Sequence, residues 1–344
     1  MSGAAGADDM AVGALNRYGR ASELRLTAHA RDGKTVVPEL FCTQPFKVMH
    51  AFRVSQDELP GLRGGAAGAV ADASTVAQVT PAGDTGDEMP VALADPASVT
   101  VMSVSAGIMA GDEQHISVNV ETGAALQVTT QSFEKIHRME DDGRASRSTV
   151  LHVGAGAYLD YAPLPQIPFA GSAFSSNTRI ELADATSRLV FGEILSCGRV
   201  ARGERFAYRS YRNRVDIRVA GVPVFIDNTV YEPEGGDFGG PVDMEGLGCY
   251  EGFTHLANLV LVNLDIDEER FANLRAFLRE QTGVIGASAA PVSADSDGSA
   301  VDLANHDTVA GGITRLDSGD CLVKLLGYRA QRLQEVLAGV RALV

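Results

Sequence analysis

The sequence predicts a mainly β fold, with stacked antiparallel or helically wound sheets and two α-helices. Three observations carry this. Apolar and polar residues alternate in short runs through the first three quarters of the chain. Glycine-bearing links such as Gly123 and Gly154-Ala155-Gly156 fall between the runs. Helical periodicity is confined to two stretches near the end, about 267–281 and 328–343.

In chain order, Leu24, Leu26 and Ala28 alternate with Glu23, Arg25 and Thr27, which gives a strand with one apolar face. Ile116, Val118 and Val120 do the same against His115, Ser117 and Asn119. Val215, Ile217 and Val219 lead into Ala220-Gly221 and then Val222, Val224 and Ile226, a hairpin pattern. The strands follow one another closely with no helix between them, so antiparallel layers are expected rather than βαβ units.

The first helix is expected to open at Asp267-Glu268-Glu269, where acids complement the helix N-terminus. Phe271, Leu274, Phe277 and Leu278 mark its apolar face and Gly283 is a stop signal. Leu333, Val336, Leu337, Val340 and Leu343 stripe the second helix, whose apolar face is expected to pack on the core, with a partner-docking face as the alternative. Before it, Gly312–Leu316 and Cys321–Leu326 flank Asp317-Ser318-Gly319-Asp320 as a hairpin.

The organisation reads as a single β-rich domain over residues 15–344, with 1–14 as a flexible N-terminus. Segments 57–97 and 286–311 are rich in small and polar residues without sustained period, and are expected to be mobile insertions.

Of the 344 residues, 45 % are hydrophobic, enough for a substantial core, and the net charge is −15. An acidic chain is a poor partner for phosphate backbones, so nucleic-acid binding is not expected. It can still attract cations or a basic partner. The four cysteines, Cys42, Cys197, Cys249 and Cys321, form no C-x-x-C pair, which fits a reducing cytoplasm. No apolar run is long enough to span a membrane, and residues 1–14 lack a secretory pattern.

Three polar blocks stand out on this frame. Ser105–Asp112 places an acid directly after a glycine turn, so Asp112 either closes that turn or meets a cation or partner. Thr129–Met139 gathers Gln131, Lys135, His137 and Arg138. His137 has a titratable ring that could ligate metal, but tight transition-metal sites want several nitrogen or sulfur ligands, and no H-E-x-x-H or H-x-H occurs. The third block runs from Glu193 through Arg199 to Glu204, Arg205 and Phe206. Alternation puts Glu193 on a face with Phe191 and Leu195, so it is expected to be buried and paired, with Arg199, Arg202 or Arg205 as partner, or to face an internal water-filled channel. No nucleophile elbow, P-loop or dinucleotide-binding fingerprint is present. A metal-dependent hydrolase using Asp112, Glu193 and His137 is the enzymatic alternative.

These blocks occur in order with Tyr158-Leu159-Asp160-Tyr161 and Pro165-Gln166-Ile167-Pro168-Phe169. Together they resemble the UreD (UreH) urease accessory protein family, over most of the chain and most strongly from Val99 to Phe206. The resemblance implies a non-catalytic maturation factor with a mostly β fold wound like a helix. It implies UreF as partner, the GTPase UreG through UreF, and apo-urease as target. Transient Ni2+ would be cargo passing through an internal tunnel, with no tightly bound cofactor. On that reading Asp112, Glu193, Glu204 and Gln131 become candidates for the nickel path. Lys135, His137, Arg138, Arg199 and Gln166 become partner-facing or structural candidates.

Overall fold

The computed structural model describes residues 20–62, 91–140, 142–236, 239–282 and 307–344. The first strands are β1 (Arg20–Arg31), β2 (Lys34–Cys42), β3 (Phe46–Val48), β4 (Phe52–Arg53), β5 (Ala97–Ser103) and β6 (Asp112–Val120). Then come β7 (Ala125–Thr130), β8 (Glu134–Ile136), β9 (Ala145–Val153), β10 (Tyr158–Tyr161), β11 (Gln166–Pro168) and β12 (Ala173–Leu182). The series continues with β13 (Arg188–Ser196), β14 (Ser210–Val219), β15 (Val222–Tyr231) and β16 (His255–Val262). Helix α1 (Glu268–Gln281), strands β17 (Val309–Arg315) and β18 (Cys321–Gly327), and helix α2 (Ala330–Leu343) complete the chain.

Two sheets face each other. One runs β15-β14-β12-β9-β6-β1-β2, and the other has the spine β17-β18-β16-β13-β10-β7-β5-β3. From β5 to β14 the main strands alternate between the sheets, so the chain winds as a coil. The wound, mainly β reading with two helices is therefore right.

The pairing direction differs from the antiparallel expectation. Antiparallel pairs occur at the margins, as in β1–β2, β14–β15, β16–β18 and β17–β18. The inner ladders β1–β6–β9–β12–β14 and β5–β7–β10–β13 are parallel. Parallel neighbours need a long crossover. Here a strand of the opposite sheet supplies it, so short links and the absence of helices are compatible with parallel pairing. At the corners backbone groups stack from turn to turn, with Ala94 N–H donating to Gly123 O (2.8 Å) and Gly123 N–H to Ala155 O (3.1 Å). Gly123 sits at φ +71°, where a Cβ would come within 2.9 Å of Val91.

The alternation read from the sequence fills the space between the sheets. Leu24, Leu26, Val118, Leu151, Ile180 and Val215 pack there against Val99, Leu126, Leu159, Leu189 and Phe191. A second core lies on the outer face of the larger sheet, where Val190, Leu259, Leu261 and Val323 meet Leu274 and Leu278 of α1 and Leu333, Val336, Leu337 and Val340 of α2. Leu343 alone of the predicted stripe is exposed. Both faces of β10 and β13 are thus covered, which accounts for their nearly continuous burial. Helix α1 is capped by Asp267, whose side chain accepts from Arg270 N–H (2.7 Å).

Residues 1–14, Gly283 and most of 57–97 and 286–311 lie outside the described residues. The flanks of both insertions belong to the body: Leu59 and Leu62 are buried, and Val309 begins a strand. Among the described residues no helix is long and apolar enough to cross a membrane.

Candidate functional site

The first two polar blocks meet. Ile108 N–H donates to Lys135 O and His137 N–H to Ile108 O, both at 2.8 Å, which sets Ile108 beside Ile136 in a parallel bridge. Gly107 permits the approach: its φ is +145°, and a Cβ there would fall 2.3 Å from Lys135 O. His137 Nε2 lies 3.0 Å from Ala106 O, and its ring meets Phe169 edge-on at 4.9 Å. Asp112 Oδ2 accepts from Met109 N–H (2.8 Å), closing the turn that ends the first block.

The third block closes on itself. Arg199 donates to both carboxylate oxygens of Glu204, and Glu204 also accepts from Ala170 N–H (3.2 Å). The hydrogen bond from Arg199 holds the Glu204 carboxyl below its ordinary pKa. Arg199 lies over the Phe169 ring at 4.0 Å. Arg138 is exposed, with its aliphatic stem beside Gly171.

Glu193 shares the inter-sheet face with Phe191 and Leu195, as alternation predicted. Its partners are amides rather than the expected arginines: Asn213 and Asn258 each donate to it at 2.9 Å. Asn258 is its cross-strand neighbour on β16, and Asn213 comes from β14 in the facing sheet. Burial raises the Glu193 carboxyl above its ordinary pKa, and the two amide hydrogen bonds only partly oppose this.

Three cavities lie around Pro163 and Leu164. The first, about 100 Å³, has Gln131, Lys135, Glu134, Arg147 and Tyr161 on its wall. The second, about 300 Å³, is lined by Gln127, Asp160, Glu193, Gln334, Leu337 and Arg341 among others. The third, about 20 Å³, has room for little more than one water and is walled by Gln166, Glu193, Tyr211, Asn213 and Asn258. Pro163 and Leu164 border all three, and Glu193 borders the second and third.

The second cavity draws on both faces of the larger sheet. Asp160 and the α2 residues come from its helix side, and Glu193 from its inter-sheet side. The opening falls where β10 stops after Tyr161, ahead of β11 at Gln166. Gly192 borders it with backbone alone.

Asp160 has a side chain only 1 % exposed. Its Oδ2 accepts from Gln127 Nε2 (3.0 Å) and pairs with the Arg341 guanidinium, while its Oδ1 has no hydrogen-bond partner. Sequence reasoning did not single out Asp160, although the signal was the one that marked Glu193: a lone carboxylate in a short apolar strand.

Gln131, Lys135, Gln166 and Glu193 therefore border the cavities, whereas Asp112, Glu204, His137 and Arg199 hold loops together and Arg138 stays exposed beside Gly171. The hydrolase arrangement does not form. Asp112, Glu193 and His137 are each engaged with different partners, and among the described residues no three His, Cys, Asp or Glu side chains are grouped to hold a metal ion. None of the four cysteines is in a disulfide.

Fold and site together define a wound two-sheet β protein, backed by two helices, with a cavity that draws lining residues from both faces of one sheet. The profile described as UreD urease accessory protein matches residues 20–344, and the chain belongs to that family, with a role in urease maturation. It is similar to the urease accessory protein UreH of Helicobacter pylori (strain G27), at 34 % identity over 274 residues, 79 % of this chain and 85 % of the relative. It is also similar to UreD of Acetivibrio thermocellus, 29 % identical over 326 residues, 95 % of this chain and 98 % of the relative.

Proposed function

We propose that this chain is a non-catalytic cytoplasmic scaffold that binds UreF, and through it UreG, docks on apo-urease, and conveys Ni2+ through its interior. The observation that carries this reading is that all three cavities border Pro163 and Leu164, with Glu193 on the wall of the second and third and Asp160 on the wall of the second. Two carboxylates set among the amides of Gln127, Asn213 and Asn258 supply oxygen donors, which attract a divalent ion without the nitrogen and sulfur ligands that would hold it tightly. Conduction requires such sites, favourable enough to enter and weak enough to leave. The acidic chain raises the local cation concentration.

Partner docking is supported by exposed apolar side chains around the outer strands of the larger sheet. Met49, Phe52 and Val104 stand on or near β3, β4 and the end of β5, close to residues 101–103 at the first cavity, and Phe41 stands on β2 at the neighbouring edge of the smaller sheet. Gln131 and Lys135 give that rim a polar border.

The test is co-expression with a urease operon at limiting nickel. Deleting this chain is expected to leave urease assembled but nickel-poor. Fully nickel-loaded urease from the deletion strain would refute the reading.

A further inference from the structure

We infer that Arg341 is the resident counter-cation of the interior opening, and that a divalent cation occupies the Asp160 carboxylate only as the Arg341 guanidinium leaves it. This rests on the nickel-conveying reading above and deepens it.

Asp160 is held by a group from a distant element. Its strand is β10, and Arg341 lies in the last turn of α2. One face of that helix, Gln334, Leu337, Ala338 and Arg341 at spacings of three and four, closes the helix side of the second cavity. The same groups therefore do two things: the guanidinium neutralises the buried carboxylate, and the helix that carries it covers the space beside it. The unpartnered Oδ1 leaves Asp160 with unused acceptor capacity in a site almost closed to solvent.

A guanidinium and a metal dication cannot share one buried carboxylate at short range, because their mutual repulsion is little screened there. Entry of the dication must then be an exchange. It removes one positive charge from Asp160 and brings two, with Glu193 on the same cavity wall to carry the excess. Arg341 has a long unbranched stem and a side chain already 20 % exposed, so its charged end can swing to water, which unfastens the last turn of α2 while the rest of the helix stays wound. The exchange favours double over single charge, since a monovalent ion gains nothing over the guanidinium it displaces. It also leaves the opening covered and electrically balanced when no metal is present.

The probe is Ni2+, measured by equilibrium dialysis against the full-length chain. Arg341→Met keeps the stem and removes the charge. It is expected to bind Ni2+ at least about tenfold more tightly than the unchanged protein. Adding Asp160→Asn to Arg341→Met is expected to return binding to the starting level. Equal affinity of Arg341→Met and the unchanged protein overturns the inference, as does tighter binding that survives Asp160→Asn. Should Arg341→Met fail to fold, hydrogen exchange of the unchanged chain decides. Saturating Ni2+ is expected to speed exchange in the last turn of α2, and unaltered rates there overturn the exchange. Because metal is read on this chain alone, a negative result removes Arg341 exchange without touching nickel delivery to urease, which is read on urease itself.

Discussion

Asp160 and Arg341 lie 181 residues apart in the sequence and form a salt bridge in which the carboxylate is almost fully buried. This pair fastens the C-terminal helix to the short central strand of the larger sheet, at the point where that sheet opens. Removing one member of a buried pair strands the other. Arg341→Ala is therefore expected to cost on the order of 3 kcal/mol in denaturant unfolding. The double variant Arg341→Ala/Asp160→Asn should recover part of that loss, because no bare charge remains. A double variant less stable than the single would contradict the pairing.

Glu193 gives a pH signature. Burial raises its carboxyl in the folded protein above the value in the unfolded chain, so the folded state holds that proton more firmly. The penalty for the ionised form is fully present above the folded pKa, declines as pH falls from there toward the unfolded pKa, and is absent below the unfolded value. Glu193→Gln removes the penalty, and Asn258, whose Oδ1 has no partner, can turn to accept from the new amide. Glu193→Gln should then gain on the unchanged protein with rising pH, and the two should converge toward acid. Parallel stability curves across the range would show that the carboxyl is not desolvated.

His255 has the opposite sign. Burial lowers it from an ordinary 6.5 to about 4, with Nδ1 2.8 Å from Thr254 Oγ1. The folded protein keeps the ring neutral while the unfolded chain protonates it. The resulting stability is present above the unfolded pKa and lost as pH falls from there through the folded value, about 3 kcal/mol in all. Stability of His255→Gln, measured against the unchanged protein over that window, should lack this component.

Gly107 tests how the first two polar blocks join. Its backbone conformation is closed to other residues, and a Cβ would collide with Lys135 O. Gly107→Ala is expected to lose about 2 kcal/mol or more and to free the 105–111 loop. Gly203→Ala, also at positive φ but with open space around it, should cost less. Equal losses would mean that strain rather than the collision dominates.

Much of this architecture is legible in the residues. Alternation assigns Leu24, Val118 and Val215 to the inter-sheet face, and the three-and-four spacing of Leu333, Val336, Leu337 and Val340 marks the helix face that is buried. Strand direction is not legible, because alternation has the same period in parallel and antiparallel ladders. Only the three-dimensional winding shows that the crossover is a strand of the other sheet. The inward placement of Glu193 could be read from Phe191 and Leu195, but its partners could not. The nearby arginines in sequence pair with Glu204 and Glu245, while the amides that reach Glu193 come from strands 20 and 65 residues away. Asp160 carried the same signal as Glu193, yet the cation that completes it comes from the opposite end of the domain. Asp112 and His137 look chemical in sequence because their types are versatile, and the fold uses both for local backbone bonds.

The most direct test of the interior passage is the nickel content of urease matured with Glu193→Leu in place of the unchanged chain, at limiting nickel. The leucine removes the carboxylate from the wall of the second and third cavities and leaves intact the exposed apolar surface proposed for docking. The predicted result is a complex recovered in normal amount with urease that is strongly depleted in nickel. Normal nickel loading of urease by a folded, complex-forming Glu193→Leu protein would contradict the passage and leave the chain a docking scaffold alone.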